Sequence, residues 1–153
     1  MRIHRLAAFV LVLLLVGACS AGASSTPSTS PSFASSQPSG TATRLEVKLT
    51  DALKVEPAEV MVPVGRAVTF VVTNAGAIAH EFFVGDEAAQ AAHEKEMSSM
   101  GGMGHEDANG IALKPGETRE LTITFAAPGK IIAGCHEPGH YAGGMKATIE
   151  IGS

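Results

Sequence analysis

The sequence has no excess of positive charge and little charge of either sign. It carries a formal net charge of −4 at pH 7, and only 17% of its 153 residues are charged. A protein that binds nucleic acid through phosphate contacts needs a basic surface, so the composition argues against that class. The length fits one domain with a short additional segment.

The sequence also lacks an apolar run long enough to span a membrane. The run LAAFVLVLLLV, residues 6–16, is about half of the roughly 20 residues that a spanning helix requires. Two arginines precede this run, and small residues follow it directly before Cys19. A basic start, a short apolar run and small residues predict a secretory signal over residues 1–18.

The tract LVGAC resembles a bacterial lipobox, in which the cysteine becomes the acylated first residue of the mature protein. We therefore expect Cys19 to anchor the exported protein to the outer face of the cell membrane. The alternative is an ordinary signal that is cleaved a few residues later, near SAGAS. Residues 19–43 are mostly Ser, Thr, Ala, Pro and Gly, which predicts an extended linker.

Cysteine is scarce, with only Cys19 and Cys135 in the chain. If Cys19 is acylated, Cys135 has no disulfide partner, although exported proteins usually pair their cysteines. The unpaired thiol is then either a buried cysteine that packs as a small hydrophobe or a residue with a chemical role.

Beyond residue 43 apolar and polar residues alternate, which is the period of a half-buried β-strand. Pro, Gly and Asn punctuate the pattern at turn positions. The predicted strands are LEVKLT at 45–50, EVMVPVG at 59–65, VTFVVTN at 68–74, HEFFV at 80–84, ELTITF at 120–125, KIIAGC at 130–135 and MKATIEI at 145–151. The predicted fold class is all-β, a Greek-key β-sandwich over residues 44–153.

One stretch breaks this period. DEAAQAAHEKEMSSM, residues 86–100, is rich in helix-forming residues, and Asp86 is a suitable N-cap. We predict one inserted helix there, followed by a Gly/Met/His-rich loop, GGMGHEDANG, at 101–110.

The insertion carries a candidate secondary copper site. His93, Met97 and Met100 would share one helix face, and Met103 and His105 follow in the loop. Clustered thioethers and imidazoles suit a weak, exchangeable Cu(I) site. The alternative is an amphipathic helix whose apolar face rests on the sandwich.

The segment GCHEPGHYAGGM, residues 134–145, contains Cys135, His140 and Met145, with four residues between each pair. Soft sulfur donors together with imidazole favour copper over hard, oxygen-seeking ions. A lone cysteine with methionine as the last donor favours a trigonal His₂Cys site with a weak axial sulfur over a structural zinc site. Such a site needs a second histidine, and His80 opens a predicted strand that could lie beside this loop.

These segments resemble the cupredoxins, the blue-copper family of plastocyanin, azurin and pseudoazurin. The resemblance covers roughly residues 44–153 and rests on VEPAEVMVPVGRAVTFVVTNAGAIAHEF and CHEPGHYAGGM. It implies one type 1 copper ion, with His80, Cys135 and His140 as strong equatorial ligands and Met145 as the weak axial ligand. It also implies single-electron transfer through His140 to a redox partner that docks briefly.

The insertion also resembles the His- and Met-rich segments of small exported cupredoxins linked to copper resistance. The alternative function is therefore copper sequestration or delivery at the cell envelope, with a copper-handling protein as the partner. For both functions we expect a monomer without enzymatic activity.

Two features depart from the family pattern. In plastocyanin and azurin an asparagine after the first histidine helps tie the ligand loops together, whereas Glu81 follows His80 here, so we expect this tie and the redox tuning to differ. His136 follows Cys135, as in the corresponding loop of multicopper oxidases.

The chain has no His-x-His pair and one such domain, which argues against oxidase or nitrite-reductase activity. Because side chains alternate at a strand end, we expect His136 to point away from the copper, either exposed to solvent or in a secondary metal site.

Overall fold

The computed structural model describes residues 42–100 and 108–152, which form two β-sheets and one helix. The helix α1 (Glu87–Ser99) lies between the fifth and sixth strands in the chain. The strands are β1 (Thr43–Thr50), β2 (Lys54–Glu56), β3 (Glu59–Pro63), β4 (Ala67–Asn74), β5 (His80–Gly85), β6 (Gly110–Leu113), β7 (Thr118–Thr124), β8 (Gly129–Gly134) and β9 (Lys146–Gly152).

The two sheets have four and five strands, in the orders β2-β1-β4-β7 and β3-β9-β8-β5-β6. The pairs β1–β4 and β3–β9 are parallel, and the other pairs are antiparallel. Parallel neighbours cannot be joined by a tight hairpin, so the chain crosses between the sheets. The predicted β-sandwich with one inserted helix is confirmed.

The alternation of apolar residues places one face of each sheet in a shared core. In β4, Val68, Phe70 and Val72 are fully buried, as the period of two predicts. The ring of Phe70 meets that of Phe82 from the opposite sheet at a centroid distance of 5.4 Å. Burial of each such side chain contributes about 2 kcal/mol or more, so the sandwich is a rigid support for the ends of its strands.

All seven predicted strands are present, and the structure adds β2 and β6. These two strands have three and four residues, too few for a period of two to be visible in the sequence. Each lies at the edge of a sheet and is stabilised by one neighbour, β1 for β2 and β5 for β6.

The helix begins where the sequence predicts. The carboxylate of Asp86 accepts a hydrogen bond from the Ala89 N–H at 2.8 Å, which satisfies one of the unpaired amides of the first turn. The helix ends at Ser99, with Met100 as its C-cap. Across residues 42–100 and 108–152, no helix combines the length and apolar character that a membrane span requires.

Some predictions lie outside the described residues. They are the secretory signal, the acylated Cys19, nearly all of the predicted linker, and the loop residues Met103 and His105. The last linker residue, Thr43, is the first residue of β1.

Candidate metal centre

The loop between β8 and β9 folds back on itself so that its predicted ligands converge. The Cys135 N–H donates to the Met145 carbonyl at 3.1 Å, and the Met145 N–H donates to the His140 carbonyl at 3.0 Å. Gly139 and Gly144 have φ angles of 84° and 92°, a region that favours glycine. The three predicted ligands in this loop are therefore joined by the loop's own backbone.

The remaining histidine comes from the neighbouring strand. His80 is the first residue of β5, and β5 pairs with β8, the strand that ends just before Cys135. The Cys135 Sγ lies 3.4 Å from the His140 Nδ1 and 3.9 Å from the His80 Nδ1, and the two Nδ1 atoms are 3.3 Å apart. The sheet thus brings together residues that are 55 positions apart in the sequence.

This triangle has the size that a bound metal ion requires. With bond lengths of about 2.0 Å to nitrogen and about 2.3 Å to sulfur, a trigonal site has sides of about 3.5 Å (N–N) and about 3.7 Å (S–N). The distances in the structure agree with these values within a few tenths of an ångström. Among the His, Cys, Asp and Glu side chains of the described residues, these three form the one group that is compact enough to hold a metal ion.

Burial determines the protonation of the donors. Desolvation raises the pKa of the Cys135 thiol to about 12, although the N–H groups of Glu81 and Glu137 donate to the sulfur and oppose this shift. The thiol therefore keeps its proton at neutral pH until a metal ion displaces it. Burial and the nearby His80 lower the pKa of His140, which favours the neutral imidazole that binds metals.

Met145 lies at the same place in the fold. Its side chain is fully buried, and its backbone bonds to both Cys135 and His140. Met145 thus adds a buried thioether to the loop that carries Cys135 and His140, and thioether, thiol and imidazole are all soft donors of the kind that copper prefers.

The family model described as copper binding proteins of the plastocyanin/azurin family matches residues 41–152. This chain belongs to that family. Copper is accordingly the cofactor that the His80, Cys135 and His140 group fits.

Curated relatives of this cupredoxin are copper-resistance proteins. It is 35% identical to the copper-resistant cuproprotein CopI of Vibrio cholerae, over 70% of this chain and 64% of that protein. It is 32% identical to CopI of Pseudomonas aeruginosa, over 95% of this chain and 94% of that protein. The cupredoxin thus spans about two thirds of the first relative and nearly all of the second.

Solved structures share its fold. The reduced auracyanin of the photosynthetic bacterium Roseiflexus castenholzii aligns with a TM-score of 0.64 and 27% identity, covering 74% of this chain and all of that one. An azurin from Methylomonas aligns with a TM-score of 0.62 at 16% identity, which shows likeness of fold alone.

Asp51 supports His80 from the side opposite the metal position, and the sequence did not identify it. The His80 Nε2 lies 3.2 Å from the Asp51 Oδ1, and the Ala77 N–H donates to the Asp51 Oδ2 at 2.7 Å. A carboxylate on the second ring nitrogen fixes the tautomer that presents Nδ1 to the metal. No local signal marks Asp51, since it lies in the turn after β1, 29 residues from the histidine.

The segment before His80 is shaped to admit this carboxylate. A Cβ at Gly76 would collide with the Asp51 Oδ1, so a larger residue there would displace the carboxylate from its place beside His80. The buried Asn74 amide donates to the carbonyls of Ile78 and Leu113, and its oxygen accepts from the Gly76 N–H. These bonds hold the loop that delivers His80 to the site.

Glu81 replaces the family asparagine and still ties the two ligand segments together. Its backbone N–H donates to the Cys135 Sγ at 3.3 Å, and its carboxylate accepts from the His136 N–H, also at 3.3 Å. Glu81 therefore differs from the asparagine of plastocyanin and azurin in chemistry, with a carboxylate in place of an amide. The tie between the His80 segment and the Cys135 loop is nevertheless present.

Of the two surroundings expected for His136, exposure to solvent was wrong. The residue is 2% exposed, and its ring nitrogens bond to the Gln90 Oε1 at 2.7 Å and the Glu94 Oε2 at 2.6 Å. The inserted helix covers this side of the loop and supplies both partners, so His136 is enclosed. Strand alternation alone could not show that α1 packs over the end of β8 and covers His136.

The helix residues of the candidate Cu(I) site are divided between core and surface. His93 and Met97 are 4% and 2% exposed, and the His93 Nε2 is bonded to the Glu81 carboxylate at 2.8 Å. Met100 is 37% exposed at the end of the helix. This placement corresponds to the alternative in which the helix rests on the sandwich, while a Cu(I) site that also uses Met103 and His105 stays a prediction.

Proposed function

We propose that this cupredoxin holds one type 1 copper ion at His80, Cys135, His140 and Met145 and transfers single electrons outside the cytoplasm. Bound copper would supply the one-electron Cu(II)/Cu(I) couple. The residues of the chain would fix the donor geometry, exclude water and connect the site to the surface.

The observation that carries this proposal is that hydrogen bonds hold the donor residues in one arrangement. Asp51 holds His80, the Glu81 N–H contacts the Cys135 sulfur, and backbone bonds link Cys135, His140 and Met145. A donor set that is fixed in this way rearranges little when one electron is gained or lost, which favours rapid transfer.

His140 is the proposed route for electrons to the surface. Its side chain is partly exposed, whereas those of His80 and Cys135 are fully buried. The exposed Ile78 lies on the segment that delivers His80 and would contribute an apolar contact for a partner. We propose that the protein is a monomer and that its partner, a redox protein or a copper-handling protein, docks transiently. Transient redox encounters usually bury small interfaces.

The proposed location is the outer face of the cell membrane. The predicted signal over residues 1–18 and the lipobox cysteine Cys19 support export and a lipid anchor. The linker over residues 19–43 would then separate the domain from the membrane surface.

The test is the visible spectrum of the Cu(II)-loaded protein beside its Cys135→Ser variant. We expect an intense thiolate-to-copper charge-transfer band in the wild type, its loss in the variant, and a reversible one-electron wave in voltammetry. A wild-type protein that binds Cu(II) without this band would refute the type 1 assignment.

A second candidate function is copper sequestration or delivery, favoured by the copper-resistance relatives. The discriminating experiment measures Cu(I) uptake in competition with a Cu(I) chelator for the variants Met97→Leu, Met100→Leu and Met103→Leu. Ser98→Ala, on the exposed face of the helix, is the control. Loss of Cu(I) uptake with an unchanged type 1 signal would favour delivery. Unchanged uptake would favour electron transfer.

A further inference from the structure

A cluster of buried polar side chains lies between α1 and the end of β8, beside the thiol of Cys135. Glu81, Gln90, His93 and His136 are 0%, 1%, 4% and 2% exposed. Burial of polar and ionisable groups is unfavourable unless each finds a hydrogen-bonding partner. Four such residues behind one metal ligand therefore call for a specific role.

Glu81 is the centre of this cluster and contacts the thiol directly. Its backbone N–H donates to the Cys135 Sγ, while its two carboxylate oxygens accept from the His93 Nε2 and from the backbone N–H of His136. A carboxylate can accept from both donors at once. Glu81 thus connects a helix residue to the sulfur and to the peptide that follows it.

His136 makes the second connection between the helix and the metal loop. Each ring nitrogen faces an oxygen acceptor of α1, Gln90 Oε1 on one side and Glu94 Oε2 on the other. The Gln90 amide nitrogen lies within hydrogen-bonding range of the Ile132 and Phe83 carbonyls, at 2.8 and 3.3 Å, which fixes its oxygen toward the ring.

Ring stacking limits the movement of both histidines. His93 stacks on Phe83 with centroids 3.9 Å apart and planes 3° from parallel. His136 stacks on Tyr141, a residue of the metal loop, with centroids 4.5 Å apart. The cluster is therefore held by packing as well as by hydrogen bonds.

The cluster is not arranged as a second metal site. Its ring nitrogens and oxygens point at one another as donor and acceptor pairs. In the described parts of the chain, the compact metal-compatible group is the one formed by His80, Cys135 and His140. The chemistry of the cluster is hydrogen bonding, and its nearest reactive atom is the Cys135 sulfur.

We propose that Glu81, His93 and His136 form a positioning network through which helix α1 fixes the Cys135 thiolate in the copper site. This inference rests on the proposed type 1 site. The network sets where the sulfur lies and how many N–H groups it accepts from, and both properties govern the energy of the copper–thiolate bond.

The test compares Glu81→Gln with wild type in the Cu(II)-loaded full-length protein. Glutamine keeps the size of the side chain, but it removes the charge and has one oxygen acceptor for two donors. We expect Cu(II) affinity to fall about 10- to 100-fold and the charge-transfer band and the copper hyperfine splitting to shift. Glu46→Gln, the same charge change on the exposed face of β1, is the matched control and should leave all three unchanged.

Two further variants keep the proposal falsifiable if Glu81→Gln does not fold. His93→Phe keeps the aromatic ring beside Phe83 but removes the hydrogen bond to Glu81. Glu94→Gln alters the partly exposed end of the network, where the carboxylate side chain is 41% exposed. Each of these variants alone should shift the charge-transfer band and the copper hyperfine splitting, because both residues act on Cys135 through the same network. Where Glu81→Gln folds, combining it with either variant should change the spectrum less than the sum of the single changes.

The outcomes separate the two proposals. If folded variants reproduce the wild-type band, hyperfine splitting and affinity, the network has only a structural role and this inference is overturned, while the type 1 site stands. A wild-type protein without the charge-transfer band would overturn the proposed function itself. A shifted spectrum in the variants, with Glu46→Gln unchanged, would support the network.

Discussion

At the scale of single residues, the orientation of a copper ligand depends on the side chain that hydrogen-bonds to it from outside the site, as Asp51 does for His80. His80 presents Nδ1 to the metal position because Asp51 occupies its Nε2. The Asp51 carboxylate is held in turn by the Ala77 N–H, which is the main cause of its lowered pKa, with His80 contributing. Asp51 is therefore ionised at neutral pH and places a negative charge beside a copper ligand.

Asp51→Asn tests this role. We expect Cu(II) affinity to fall about tenfold and the reduction potential to rise. The reason is that the Asp51 carboxylate of the wild type stabilises Cu(II) more than Cu(I), and the variant lacks this charge. Competition titration and voltammetry measure the two effects. Asp86→Asn removes the same charge at the helix N-cap, where asparagine also caps well, and should change neither. An Asp51→Asn potential equal to that of wild type would contradict the assigned role.

At the scale of elements, the glycine that ends β8 allows the inserted helix and the metal loop to approach the sheet closely. A Cβ at Gly134 would lie 2.7 Å from the Tyr141 ring and 2.8 Å from the Gln90 Oε1. Both atoms belong to the packing that encloses His136. Glycine at this position lets the helix, the strand and the metal loop approach one another closely.

Gly134→Ala should therefore separate these elements. We expect a loss of about 1–3 kcal/mol in the free energy of unfolding, measured with urea, since the neighbouring side chains are crowded. Gly152→Ala is the matched control, because no atom lies within 4 Å of its added Cβ in the terminal strand β9. Equal stability of the two variants would show that the contact at Gly134 is not tight.

At the scale of the whole molecule, copper binding and folding are linked. His80 comes from the start of β5, and Cys135 and His140 come from the loop after β8; β5 and β8 are adjacent only in the folded sandwich. An ion that binds the folded chain selectively stabilises it by an amount that grows with its free concentration. Because the pKa of Cys135 is raised to about 12, binding at neutral pH displaces a proton.

Loading with Cu(II) should raise the thermal midpoint on the order of 20 °C when free copper is about a thousandfold above its Kd. At a fixed free copper concentration the rise should be larger at pH 7.5 than at pH 6.5, since about tenfold in affinity is gained per displaced proton and pH unit. Scanning calorimetry at both pH values measures this effect. Cys135→Ser should lose the pH increment, and a wild-type shift that is identical at the two pH values would contradict the protonated thiol.

The features that the sequence predicted are those that depend on local pattern or on donor chemistry. A period of two identified seven strands, and Asp86 marked the helix start, because both signals lie within a few neighbouring residues. His80, Cys135 and His140 were predicted as ligands from residue type, from the spacing in the second loop and from the resemblance to cupredoxins, and the structure places their donor atoms in one triangle. The short strands β2 and β6 gave no such pattern and emerge only from pairing.

What the sequence alone determined is the alternation that builds the sandwich and the soft donor set in its loops. Only the tertiary structure decided that Asp51 faces His80, that Glu81 joins Cys135 to the helix, and that His136 is enclosed. The paired groups lie 12 to 55 residues apart. The choice of partner for each buried acid and imidazole depends on which surfaces remain unpaired once the sheets and helix have packed, and no local period carries that information.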